Sequence, residues 1–237
     1  CCLHSPQLRL NRREAGHFDG AILKKALKIG LPVAVQEVAT SGAMVITTMI
    51  IAPLGEIAIA ANSFAVTAEG LCYMPGYGIG SAAATVVGRS VGAGEDELAR
   101  RYGNICIGMG ATIMGVLGLI MMFICPLLFA MLTPDPAVRE LSAQVLRIEL
   151  LAEPLFGASI VAAGALRGAG DTLVPSVINL ASMWVVRIGL ALILIKPLGL
   201  LGMWIAMAAE LSTRGLLMLY RQRTSRFYAM YAGQSNA

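Results

Sequence analysis

The sequence predicts an all-α, polytopic membrane protein with six transmembrane helices, and three observations carry that prediction. Of its 237 residues, 57% are hydrophobic and only 14% are charged. Long apolar stretches with few or no charges recur along the whole chain, and the basic residues gather in short segments between them. A soluble domain cannot hide so much apolar surface. Lipid is therefore the solvent for most of the chain, and in lipid every backbone N–H and C=O must be paired within the fold. A closed barrel would show segments of roughly ten residues with alternating hydrophobicity. These runs are longer and do not alternate, which leaves helices.

Residues 1–28 are polar and basic, with Arg9, Arg12, Arg13, Lys24, Lys25 and Lys28, and read as a cytoplasmic linker leading into an interfacial helix start. The opening CCLHSPQLRLNRREAG has neither an initiator methionine nor a signal-peptide pattern, so the chain reads as a fragment of a longer one. Six helices then occupy 29–220. The first span, 29–52, is broken early by Pro32 and carries Glu37 as its single charge. The second, 57–87, has Glu69 near its centre, then Pro75 followed by Gly76, Gly78 and Gly80, a composition that argues against a straight helix. The stretch GRSVGAGEDELARR at 88–101 supplies a glycine turn and then Glu95, Asp96 and Glu97 as helix-start acids. The third span, 102–132, is free of charge and ends at the TPDP of 133–136.

The fourth span, 141–166, holds the chemistry. Glu153 sits near its middle, the depth at which an ionised side chain in lipid is most costly, which makes it a functional candidate by default. Pro154 follows it and has no amide hydrogen, so the carbonyl of Leu150 loses its helical partner and the helix bends or opens there. A freed carbonyl beside a carboxylate is suited to a small cation. Glu149 lies four residues earlier on the same helix face, about 6 Å away, where the two like charges repel. That arrangement suits a proton carrier. The fifth span, 172–195, carries Arg187, and Lys196, Pro197 and Gly199 form the turn after it. The sixth, 200–220, carries Glu210 and Arg214 and runs into a basic cytoplasmic tail, 221–237.

Six spans put both termini on one side. Arg89, Arg100, Arg101 and Arg167 lie in connections on the same side as the N-terminal segment and the tail, against Arg139 and Lys196 on the other. By the positive-inside rule both ends are cytoplasmic, in the cell (inner) membrane. The net charge of +4 is thus a topology signal, and no nucleic-acid partner is expected. Two inner loops share a likeness, VGAGED at 91–96 and RGAGDT at 167–172. In them Gly92, Gly94, Gly168 and Gly170 are placed to take positive φ at a helix end, and an acid, Asp171 in the second, to cap the next helix beside Arg167.

Several features have plainer readings. Glu210 and Arg214 are four apart, the spacing of an intrahelical ion pair that carries both through lipid. Gly76 and Gly80, Gly88 and Gly92, and Gly164 and Gly168 make GxxxG pairs that let helices approach closely. GYGIG at 76–80 lacks the strand and helix context of a dinucleotide fingerprint. Glu69 reads equally as a buried hydrogen-bonder or a cavity-lining residue. Glu37 and Glu153 have no opposite charge three or four positions away and are the stronger functional candidates. The only histidines, His4 and His17, fall outside the apolar spans, which excludes a Ser-His dyad at membrane depth. No metal-ligand spacing occurs and no cofactor is expected.

The string PGYGIGSAAATVVGRSVGAG at 75–94 resembles the second helix and inner loop of a lobe of the multidrug and toxic compound extrusion family. GALRGAGDT at 164–172 is similar to that family's turn after its tenth helix, and GLPVAVQEVATSGAMVITTMIIAPLG at 30–55 resembles its seventh. The resemblance covers nearly all of residues 20–225. It implies one six-helix lobe, the C-terminal one, of a twelve-helix antiporter whose missing N-terminal lobe belongs to the same protein. It also implies export of small cationic or amphipathic compounds against inward H+ or Na+ flow. In the sodium-coupled branch the acids of the seventh and tenth helices would fall at Thr40 and Phe156. Here Glu37 and Glu153 stand three residues earlier in each case, about one helical turn, as for a displaced pair facing one cavity. The expected site is Glu37, Glu153 and Glu149 for the coupling ion, with Gln36, Thr40, Glu69 and Phe156 for cargo. The alternative is a lipid-linked oligosaccharide flippase of related architecture, which would favour a strongly basic cavity. A membrane-embedded enzyme is disfavoured by the missing histidines and metal ligands.

Overall fold

A computed structural model of the protein describes residues 20–224. The linker 1–19 and the tail 225–237, with Cys1, Cys2, His4, His17 and Arg226, lie outside the described residues. Within them the chain is helical almost throughout and contains no strand. Helix α1 runs Gly20–Ile51, a short 3-10 turn Ala52–Leu54 follows, and α2 runs Glu56–Gly92. Helix α3 is Asp96–Leu132, α4 is Pro136–Leu150 and α5 is Glu153–Gly168. A single rod then combines α6, Leu173–Ala181, a π-helical stretch, Ser182–Ile188, and α7, Gly189–Leu198, before α8, Leu200–Thr224.

The ends follow from local chemistry. Gly55 takes φ +93° after Pro53 and turns the chain from α1 into α2. Between α3 and α4 the Asp135 carboxylate accepts from the Ala137 amide at 2.8 Å with Pro136 in the first turn, so the helix start is capped and the missing proline N–H costs nothing. The expected break in the fourth span falls at Leu151 and Ala152, where the Ala152 amide donates to the Glu149 carbonyl at 2.7 Å in a tight turn. Pro154 sits in the first turn of α5. Pro32, Pro75 and Pro126, by contrast, lie inside helices that continue through them.

Four segments, 30–54, 56–92, 96–132 and 173–198, are long and apolar enough to cross a membrane. The other two expected spans fall on the broken α4–α5 rod and α8, which hold the buried Glu149, Glu153 and Glu210. Large apolar side chains face outward, Met131 at 81% and Phe123 at 76% exposed, as a lipid-solvated surface requires. Helix α5 sits at the centre, packed on α2, α3 and α8. Glycines set these approaches. A Cβ at Gly164 would meet the Gly80 carbonyl and one at Gly168 the Ala84 carbonyl on α2. A Cβ at Gly157 would lie 2.8 Å from the Gly110 carbonyl on α3, and one at Gly215 of α8 2.6 Å from the Leu155 carbonyl. Without a hydrophobic force between helices in lipid, such backbone proximity is the source of packing energy. The Gly88 and Gly92 pair works only in part, because Gly88 meets Gly168 while Gly92 faces open space.

Two hydrogen bonds tie α8 and α4 to the first turns of α2. The Trp204 indole donates to Asn62 Oδ1 at 3.1 Å, and the Ser142 hydroxyl reaches the Ala61 carbonyl at 3.3 Å.

The turns after α2 and α5 are built alike. After α2 the Gly94 amide donates to Val91 O and the Glu95 amide to Ser90 O. After α5 the Gly170 amide donates to Arg167 O and the Asp171 amide to Leu166 O. Both are Schellman turns, and positive φ falls on Gly94 (+78°) and Gly170 (+91°), not on Gly92 or Gly168. The expected acid cap is corrected: α3 and α6 have no side-chain cap. Asp171 instead takes both Nε (2.9 Å) and a terminal nitrogen (2.7 Å) of Arg221 on α8, a charge-assisted pair stronger than an amide cap.

Candidate functional site

Charged and polar side chains from five elements converge on one cavity. At 1.5 Å per residue, Arg187 stands about 20 Å along the α6–α7 rod and Arg214 about 20 Å along α8, each near the middle of its element, and Glu69 about 20 Å along α2, roughly a third of the way. Between them and α1 lies a cavity of about 320 Å³, lined by Gln36, Glu37 and Thr40 of α1, Glu69 and Tyr73 of α2, Phe156 of α5, Arg187 and Arg214. The cavity also reaches Gly80, Gly164 and Arg167, toward the C-terminal end of α5.

The wall has one committed cation. Arg214 Nε lies 3.2 Å from Glu210 Oε1, the ion pair expected from the four-residue spacing. Its terminal nitrogen donates to Asn179 Oδ1 at 2.6 Å, and its guanidinium stands 5.1 Å over the Phe156 ring. Phe156 in turn meets Tyr73 edge to face at 6.0 Å, so the ring is held between a cation and a second aromatic. Gln36 is 2% exposed, yet its Oε1 has no donor among the described residues, and the Thr40 hydroxyl is likewise unpartnered. Arg187 is 7% exposed with an unpartnered Nε.

The structure brings together Gln36, Glu37, Thr40, Glu69 and Phe156 on the cavity wall. It does not bring Glu37 and Glu153 onto one face of it. Glu153 and Glu149 are completely buried behind the wall, at the α4–α5 break, and the Glu153 side chain packs toward Gly118 of α3. The equal displacement along two helices does not translate into a shared face: within α5 Phe156 lines the cavity, while Glu153, three residues earlier, turns to Gly118 of α3. Both carboxylates lack hydrogen-bond partners among the described residues. Each lies within electrostatic reach of Glu69. Glu69 therefore stands between the cavity and a buried acid pair. An ionised carboxylate without a partner at that depth is costly, and taking up a proton or a small cation removes the cost.

Sequence reasoning passed over Tyr73 and Asn179. Tyr73 follows Glu69 by four residues and so shares its face, a signal present in the spacing. Asn179, an isolated amide in the apolar run that begins at Leu173, was the other available mark.

The description MatE belongs to a family model that matches residues 32–193. The chain is 33% identical over 201 residues to a probable multidrug resistance protein NorM of Thermotoga maritima, an alignment covering 83% of this chain and 43% of that protein. It is 31% identical over 218 residues to a probable multidrug resistance protein NorM of Deinococcus radiodurans, covering 87% and 48%. The chain thus spans about half the length of the curated relatives it matches. Among solved structures, a MATE protein in the bent conformation superposes with a TM-score of 0.84 at 20% identity, over 94% of this chain and 49% of that one. The MATE transporter ClbM in complex with Rb+ superposes with a TM-score of 0.83 at 19% identity, over 91% and 50%. These likenesses fix the fold of one helical lobe, and the family model spans well over half of the sequence. This chain belongs to the MatE family.

Proposed function

We propose that the chain is one lobe of a secondary antiporter that exports cationic or amphipathic compounds in exchange for H+ or Na+, and that its other lobe is the remaining half of the same protein. The observation that carries the proposal is the cavity at mid-depth whose wall holds Glu37 and Glu69, with the buried Glu149 and Glu153 behind it. Relatives described as multidrug resistance proteins support export, and the neighbour that holds Rb+ supports a monovalent cation as the coupling species. Cargo binds against Gln36, Thr40, Glu69 and Phe156. The coupling ion or proton enters past Glu37 and Glu69 and is held at Glu153, with Glu149 assisting. Its arrival changes the balance between outward-open and inward-open states, and cargo leaves by competition for Glu69. Both termini face the cytoplasm of the inner membrane. Relatives described as multidrug resistance proteins favour this reading over a flippase, and Glu37 and Glu69 give the wall acceptors for a cationic group.

The test uses the full-length transporter in proteoliposomes with an imposed pH or Na+ gradient. Glu153→Gln is expected to lower gradient-driven efflux by roughly ten- to a hundred-fold, the range of coupling between two sites, while cargo binding without a gradient weakens far less. Glu69→Gln is expected to weaken cargo binding itself. Unchanged coupling in both Glu37→Gln and Glu153→Gln would remove the assignment of the ion site.

A further inference from the structure

Three arginines line the cavity, Arg167 where it reaches the end of α5 and Arg187 and Arg214 beside Glu69, and the last two are not equivalent. Arg214 is committed to the protein through Glu210, Asn179 and the Phe156 ring. Arg187 is more deeply buried, yet among the described residues it has no carboxylate within ion-pair distance and no acceptor for its Nε. Glu210, Glu69 and, more weakly, Glu149 are the acids in electrostatic reach of it, none of them within ion-pair distance, and Arg214 stands near as a like charge. Glu210 is already paired with Arg214, and Glu69 lines the cavity itself. The guanidinium is thus held on the wall with its hydrogen-bonding capacity unspent.

We infer that Arg187 is an anion subsite of this cavity, and that the compounds the lobe binds best are zwitterions carrying a carboxylate as well as an amine. The inference rests on the cavity being the cargo chamber proposed above and names the class of cargo it takes. A guanidinium presents a planar fork of N–H donors that fits a carboxylate in two parallel hydrogen bonds, and an exclusively cationic cargo would leave that fork unused beside a like charge. The same wall offers the complementary end. Gln36 Oε1 and the Thr40 hydroxyl are unpartnered, and with the Glu37 and Glu69 carboxylates they form an acceptor-rich surface for an ammonium group. Tyr73, backed by the Phe156 ring, supplies an aromatic surface for the apolar body between the two charges. Arg187 is also set apart by its backbone. It lies in the seven-residue π-helical stretch Ser182–Ile188, and π-helical turns inside α-helices are frequent at functional sites. A cavity of about 320 Å³ is at the lower end of the size that encloses a drug-like molecule.

The test compares two forms of one fluorescent xanthene dye, the free carboxylate, which is a zwitterion, and its methyl ester, which is a cation of nearly the same shape. Binding to the purified full-length transporter is read by fluorescence anisotropy, and efflux is read in proteoliposomes. The expected result is that the wild-type protein prefers the free carboxylate, and that Arg187→Gln moves the ratio of the two affinities toward the ester by roughly ten-fold, the effect of one charge-assisted hydrogen-bonded contact. Arg187→Lys, which keeps the charge and loses the fork, is expected to fall between them. If the two dyes weaken in the same proportion in Arg187→Gln, Arg187 supports the fold or pairs with the other lobe, and the anion subsite is wrong. A wild-type protein that binds the ester more tightly than the carboxylate overturns it equally. If the wild-type protein moves neither dye under any gradient, the export reading fails, an outcome separate from an unchanged affinity ratio.

Discussion

A methyl group is enough to test the packing at the centre of this lobe. Adding one at Gly164 places it against the Gly80 carbonyl, a backbone atom that cannot swing aside as a side-chain tip would. Gly164→Ala is therefore expected to destabilise the protein by about 1–3 kcal/mol, the usual cost of overpacking, despite the better helix propensity of alanine. Gly108 on α3 has open space around its Cβ direction. Gly108→Ala is expected to change stability by no more than about 0.5 kcal/mol or to raise it slightly. Thermal unfolding of both variants of the full-length protein in detergent checks the pair, and equal shifts would mean the α2–α5 seam is looser than its backbone contacts indicate. The GxxxG spacing made this seam visible in the sequence. What spacing did not reveal is that Gly92, at the end of such a pair, meets nothing.

Among the elements, the inner turn after α5 is held by more than its own backbone. Asp171 is 2% exposed and receives two hydrogen bonds from Arg221, which ties the α5–α6 corner to the last turns of α8. Asp171→Asn keeps the shape and removes the charge. It is expected to cost about 1–3 kcal/mol, the value of hydrogen bonds to a charged group, and a double-mutant cycle with Arg221→Gln should return most of that as coupling. Additive effects in thermal unfolding would show that the two side chains act independently. Prolines illustrate how far element structure was legible. Pro154 marked a real break because it falls where a helix begins, and its missing N–H is an orphan there in any case. Pro75 did not interrupt α2, since in lipid a free backbone group is expensive and local adjustment keeps the helix whole. The π-helical stretch had no signal at all: SMWVVRI, which packs against α8 and α1, contains neither proline nor glycine.

At the scale of the whole molecule, composition dictated the class, because a chain this apolar has only helices or barrels open to it. The cavity was legible residue by residue, as isolated charges and amides in apolar runs, but the sequence could not say which of them meet. Glu37 and Glu153 occupy matching registers, yet one lines the cavity and the other lies behind it, since a face is defined by neighbours and not by spacing alone. The path of the chain through the membrane has a direct test. The α4–α5 rod is broken into helices of 15 and 16 residues, each too short to cross alone. If the two together make one crossing, three crossings separate the turn at Glu95 from the turn at Lys196, and the two residues face opposite sides. If instead α4 and α5 dip in and return, only two crossings separate them, and both face the same side. Both residues are exposed, so Glu95→Cys and Lys196→Cys, each in a background with the native cysteines replaced, can be labelled with a membrane-impermeant maleimide. Glu95→Cys is expected to react only from the cytoplasmic side, where Arg89, Arg100 and Arg101 place that loop, and Lys196→Cys only from the other. Labelling of both from one side would turn the broken rod into a re-entrant hairpin with Glu149 and Glu153 at its tip, and would overturn the six-crossing path and the sidedness of everything after it.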